Sequence, residues 1–135
     1  MDGAPFVTRG VLAHRRRATD PQLEIRLFDR AVSCKNFDAD YESRPGETLA
    51  IINLEWPKSK GDSVSFGAAT LDDRLQFCRG REGSGRASCE PRAQKQGSLT
   101  VLDASPTSGA LSLEVESPNG SLAGRLEFTL CPDAP

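Results

Sequence analysis

The chain has 135 residues, 37% of them hydrophobic, and its 17 basic and 19 acidic side chains leave a net charge of −2. That length suits one domain able to bury roughly two-thirds of its unfolded surface, and the near-neutral balance excludes a global pull toward nucleic acid. No run approaches the roughly 18 apolar residues of a membrane-spanning helix, while 12 glycines and 9 prolines favour many short strands and turns.

The opening MDGAPFVTRG carries no hydrophobic stretch of signal-peptide type. Two readings follow: an intracellular chain, or a mature one from which a leader has been removed. In the second reading, a lipid anchor on the removed segment stays open. The cysteines favour the second. Cys34, Cys78, Cys89 and Cys131 are even in number and widely spaced, without a Cys-x-x-Cys pair for zinc or redox work. Of three pairings, Cys78–Cys89 closes a local loop, and Cys34–Cys131 ties the end of an early strand to the last one.

In chain order, residues 6–13 read as a first strand interrupted by Gly10, followed by His14-Arg15-Arg16-Arg17 and a turn at Asp20-Pro21. Gln22 to Asp29 alternates, with Leu23, Ile25 and Leu27 on one face and Glu24, Arg26 and Phe28 on the other. Ala31 to Cys34 extends it past a bulge. Asn36 to Glu47 is a polar loop ending in a Pro45-Gly46 turn. Thr48 to Trp56 is the most apolar run. Ala50, Ile52, Leu54 and Trp56 share one face, and Leu49 and Ile51 make the other apolar too, which predicts a central strand covered on both sides. Pro57 to Asp62 is a turn, and Val64 to Leu71 and Leu75 to Cys78 are short strands. Residues 79–96 form a polar loop rich in arginine and glycine, and Gly97 to Leu102 is a further strand.

The chain closes on GALSLEVESPNGSLAGRLEFTLC, where Asn119-Gly120 is a strong two-residue hairpin signal. Turning there pairs Val115 with Gly124, Glu114 with Arg125, Leu113 with Leu126 and Leu111 with Phe128. About eight strands, no helix and no repeat describe one all-β domain, an antiparallel β-sandwich or flattened barrel.

Candidate chemistry is sparse. Asn36, Asp38, Asp40 and Glu47 fall at positions 1, 3, 5 and 12 of an EF-hand-like calcium loop, but Tyr41 stands where that motif needs glycine. No other cofactor is indicated. Arg15, Arg16 and Arg17, with Arg79, Arg81 and Arg86, form two basic runs. Brought together, they would suit a carbohydrate or anionic polymer; held apart, they guard strand edges against aggregation. Aromatic residues for base stacking are scarce beside them, which argues against nucleic acid. His14 is the sole histidine and lies in an arginine run, where a neighbouring positive cluster disfavours the imidazolium a general base must become. Ser84 lacks the G-x-S-x-G pattern. Asp72-Asp73 and the Glu114, Glu116 pair leave an acid-based hydrolase or lyase as a distant alternative. Trp56 reads as core.

The alternating Leu23-to-Asp29 strand followed by Cys34, and the closing Gly124-x-Leu126-x-Phe128-x-x-Cys131, resemble small β-sandwich domains of secreted proteins and lipoproteins of the bacterial envelope. The resemblance implies an envelope or extracellular setting and a non-catalytic role, and assigns no functional residue. The expectation is a disulfide-bonded, non-enzymatic binding or structural module, periplasmic, secreted or at the cell surface, that engages another protein through an exposed strand edge.

Overall fold

The computed structural model describes residues 7–15, 22–36, 41, 44–56, 59–66, 75–81, 87–89, 96–117 and 120–131. They form nine strands: β1 (Gly10–Arg15), β2 (Gln22–Phe28), β3 (Thr48–Glu55), β4 (Ser63–Phe66), β5 (Leu75–Gly80), β6 (Ala87–Cys89), β7 (Gln96–Ala104), β8 (Ser108–Ser117) and β9 (Gly120–Thr129). A 3-10 turn spans Cys34–Asn36. Two antiparallel sheets face each other, one ordered β1-β2-β3-β5-β6 and the other β4-β7-β8-β9. The fold is the expected all-β sandwich.

Period-two patterning decides which side chains fill it. Leu23, Ile25 and Leu27 from β2 meet Ala50, Ile52 and Leu54 from β3, and pack against Leu99, Val101, Leu111, Leu113 and Leu126 of the other sheet. Trp56 closes one end of this core. Its indole N–H donates to the Ser105 carbonyl at 2.8 Å, and its ring meets Phe128 edge-on at 5.1 Å. Gly109 is required beside them, because a Cβ there would lie 2.6 Å from the Trp56 ring and 2.7 Å from that of Phe128.

The outer face of the five-stranded sheet is also buried. Phe28, Leu49, Ile51, Leu12 and Cys78 form a second apolar cluster with Cys131, and Val32 and Tyr41 pack against it. β3 is therefore covered on both sides, as its sequence requires. Residues of the connection from β2 to β3 provide the cover. The carboxylate of Glu47 fastens it by accepting from the Arg30 guanidinium and, at 3.0 Å, from the backbone N–H of Arg44. Gly46, at φ 75°, makes the expected turn into β3.

Both disulfides form as the spacing suggests, Cys34–Cys131 and Cys78–Cys89, leaving no free thiol. Cys78 and Cys89 are direct register partners on β5 and β6. The segment read as a loop over 79–96 is thus partly strand: β5 continues through Gly80, β6 pairs with it, and β7 starts at Gln96. Pairing with β5 orders a three-residue strand too short and polar to show periodicity. Similarly, β1 starts at Gly10 and continues through His14 and Arg15, which pair with Glu24 and Leu23. Residues 67–71 of the expected strand after Val64 lie outside the described residues.

The C-terminal hairpin forms, but not with the expected turn. Ser117 pairs with Gly120, Val115 with Leu122, Leu113 with Gly124 and Leu111 with Leu126, so Gly120 is the first residue of β9 and not part of an Asn119-Gly120 turn. The pairing differs by two residues, and an even shift leaves every side chain on its expected face. Gly120 sits in the strand close against Phe77, where a Cβ would lie 2.9 Å from the ring, so the position takes glycine and nothing larger without a shift.

The two bridges close loops of very different length, with sequence separations of 97 and 11. By the chain-entropy argument the long one contributes about 4–5 kcal/mol and the short one about 3 kcal/mol. Urea melts of the Cys34→Ser/Cys131→Ser and Cys78→Ser/Cys89→Ser double variants are expected to show the larger loss for the first pair.

Candidate functional site

Two places in the fold bring polar chemistry and shape together. The first is on the outer face of the five-stranded sheet, where His14, Glu24 and Asn53 form one cross-strand row and Leu12, Arg26 and Ile51 the next. Glu24 is 6% exposed, and a buried carboxylate must be paired. Its Oε1 accepts from the Tyr41 hydroxyl at 2.6 Å and from Arg26 Nε at 2.8 Å, and lies 3.4 Å from His14 Nε2. The Arg26 guanidinium stacks 3.8 Å from the Tyr41 ring centre and donates to the Tyr41 carbonyl. Burial alone would push the Glu24 carboxyl up, but the hydrogen bonds from His14, Tyr41 and Arg26 outweigh it and hold the group down at about 2. Burial, and then the bond to Glu24, push the Tyr41 hydroxyl up to about 12. Glu24 thus stays ionised and Tyr41 protonated across the physiological range. The cluster is a lock that fastens Tyr41 onto the sheet.

The second place is the side of the sandwich where β1 and β9, the edge strands of the two sheets, run close together. They join at one end only. Ala13 and Leu130 form a parallel bridge, and the Cys131 N–H donates to the Ala13 carbonyl at 2.7 Å. Beyond that junction the edges part around a groove of about 650 Å³. Val11, Leu122 and Leu126 line its apolar floor, with Val7, Arg9 and Arg125 on its rim. Val7 is 59% exposed, the large hydrophobic side chain that this surface leaves to solvent.

Hydrogen-bond parity fixes which backbone groups open on the groove. The Leu130 N–H donates to the Thr107 carbonyl, so even-numbered residues of β9 bond toward β8. Ser121, Ala123, Arg125 and Glu127 consequently turn their N–H and C=O groups toward the β1 side. On β1, the Ala13 carbonyl faces β9, and so therefore do the N–H and C=O of Val11. Between Leu122 and Leu126 stands Gly124, whose absent side chain leaves open space: a Cβ there would meet nothing within 4 Å.

The residues singled out by sequence are scattered. Arg15 ends β1 and donates to the Trp56 carbonyl at 3.1 Å. Arg79 pairs with Thr48 at the opposite end of the same sheet, about 20 Å away along the strands and about 14 Å across three strand spacings. Arg81 is exposed beyond Gly80. The described members of the two runs do not converge; Arg16, Arg17 and Arg86 lie outside the described residues. Of the calcium-loop residues, Asn36 sits in the 3-10 turn and the Glu47 carboxylate is engaged by Arg30, while Asp38 and Asp40 lie outside the described residues. His14 belongs to the Glu24 lock. Ser84, Asp72 and Asp73 also lie outside the described residues.

Sequence reasoning missed Glu24, Arg26 and Tyr41. A signal was present: Leu49, Ile51 and Phe28 require a cover on the outer face, and a cover buries whatever charge shares that face. Two disulfides with no free cysteine point to an oxidising, extracytoplasmic environment. No described helix is long and apolar enough to cross a membrane. Comparison with known protein families, curated proteins and solved structures found no match.

The lock has two measurable signatures. Because folding lowers the Glu24 carboxyl from 4.5 to about 2, its contribution is complete above about pH 4.5 and is lost as pH falls toward 2. That contribution is about 3 kcal/mol. Urea midpoints should fall over this window in the wild type and much less in Glu24→Gln, which starts lower at pH 7. Tyr41 is the sole tyrosine, so absorbance at 295 nm follows it alone. Its midpoint is expected at about 12 in the wild type, and lower in Glu24→Gln, though still above the ordinary value because burial persists.

Proposed function

We propose that this domain is a non-enzymatic binding module of the cell envelope or extracellular space that engages another protein through the groove between β1 and β9. One observation carries the reading: two edge strands part around an apolar floor and turn backbone donors and acceptors into the gap. Unpaired strand edges invite pairing, and folded proteins ordinarily cover them, twist them away or charge them heavily. Here the edge is kept accessible, with small side chains at Ala123 and Gly124 and an apolar floor behind them.

Other features fit a module built for binding rather than chemistry. The buried acid, Glu24, is held ionised by donors that anchor the cover of the sheet, and so does not transfer protons near neutrality. Two disulfides give the scaffold the rigidity a preformed surface needs outside the reducing cytoplasm. The periplasm, the cell surface and the extracellular medium all satisfy that condition.

Site-specific photocross-linking in cells of the native source tests this. A benzoylphenylalanine at Ala123, beside the groove, should yield a defined cross-linked protein. The same group at Ser88, exposed on β6 at the far edge of the first sheet, should not. The same products from both positions, or none from either, would overturn the reading.

A further inference from the structure

We infer that the groove takes its partner by strand addition: an extended, acid-bearing segment of another protein pairs along β9 and seats an apolar side chain in the notch at Gly124. This inference rests on the proposed binding role and specifies how that role is carried out.

Three features point to a strand rather than a compact ligand. Backbone groups of Ser121, Ala123, Arg125 and Glu127 turn toward the β1 side at every second residue, the last three of them lining the groove, which is the spacing of a β ladder. They span about 20 Å, the length of an ordinary strand. Gly124, exposed and at φ 121° in β9, leaves open space between the buried Leu122 and Leu126, where an added strand would place a side chain of its own. In strand addition, main-chain bonds supply affinity, and pockets for alternate side chains supply specificity.

The shape of the gap selects an isolated segment over a second copy of this chain. β1 and β9 are fastened at Ala13–Leu130 and Cys131, so the groove is closed at one end. Its other wall is β1 itself. In a second copy, β9 would arrive backed by its own facing sheet, about 10 Å thick in side chains, whereas a lone strand has no such backing. Charge sets the remaining preference. Arg125 and Glu127 neutralise each other at 2.9 Å, and Arg9, exposed on the rim, is the charged side chain of this surface without an ion pair among the described residues. An acidic residue on the incoming strand complements it, although the protein as a whole is net negative.

The test starts from a displayed library of random ten-residue peptides selected on the intact, disulfide-bonded protein. Enriched peptides should alternate apolar and polar residues and carry Asp or Glu. Arg9→Glu should shift the enrichment to Lys or Arg. The best peptide is then made in two N-methylated forms, one blocking the odd-numbered amides and the other the even-numbered ones. Strand addition along β9, with Val11 the one β1 residue among 10–13 besides Ala13 that faces the gap, requires that one form lose binding at least tenfold while the other loses much less. Equal behaviour of the two forms would overturn strand addition. It would leave the binding reading intact if Ala123 still cross-links a defined protein in cells. Absence of any enriched peptide would overturn the inference. So would concentration-dependent dimerisation that protects the same β9 amides without peptide, since it would make a second copy the occupant.

Discussion

Cys131 is the junction on which the arrangement depends. It follows β9 directly, its backbone N–H bonds to Ala13 on β1, and its sulfur bonds to Cys34 in the segment that covers the outer sheet face. One residue therefore fastens three parts of the molecule: an edge of each sheet and the cover. The seam between the sheets is made there, and on β1 it ends at Ala13. Past that point, parity turns the backbone groups of both edges toward a space that no described strand fills.

The same junction explains why a sheet with two apolar faces is stable in a domain of this size. The inner face is covered by the second sheet and the outer face by the connection held at Cys34. Between these fixed points, Arg30 with Glu47 and Tyr41 with Glu24 and Arg26 hold the cover. Burying Glu24 is tolerable only because several donors surround it; with one donor removed, a desolvated charge would remain short of partners. The polar lock is therefore a consequence of covering the outer face, and the groove a consequence of a seam that is incomplete. The functional reading attaches to the groove, since its backbone groups remain available to a partner while those of the lock are engaged within the fold.

Much of the framework was legible from residue patterns. The two faces of β2 and β3, the burial of Trp56 and both cysteine pairings follow from alternation and spacing. The hairpin register was not, for a physical reason. Parity fixes which face a side chain takes, but pairings two residues apart satisfy it equally, and in the observed one Gly120 lies in the strand close against the Phe77 ring rather than in the turn. β6 was hidden because its order comes from pairing with β5 and from the Cys78 bridge rather than from its own three residues. The lock could have been anticipated from Phe28, Leu49 and Ile51. The groove could not, because it depends on how far apart two edges from distant parts of the chain come to rest, and Gly124 looks like an ordinary strand glycine until that gap is seen.

Native-state amide hydrogen exchange, resolved residue by residue, tests most directly the claim that the seam ends at Ala13 and leaves the edges open. On β9, the amides of Leu122, Gly124 and Leu126 should be protected by β8, and that of Cys131 by Ala13. The amides of Ala123 and Arg125, and that of Val11 on β1, should exchange far faster in the isolated protein. Such alternation would mean an accessible ladder edge. Uniform protection from Ser121 to Glu127 would mean that the edge is already paired, and would contradict the account of the groove.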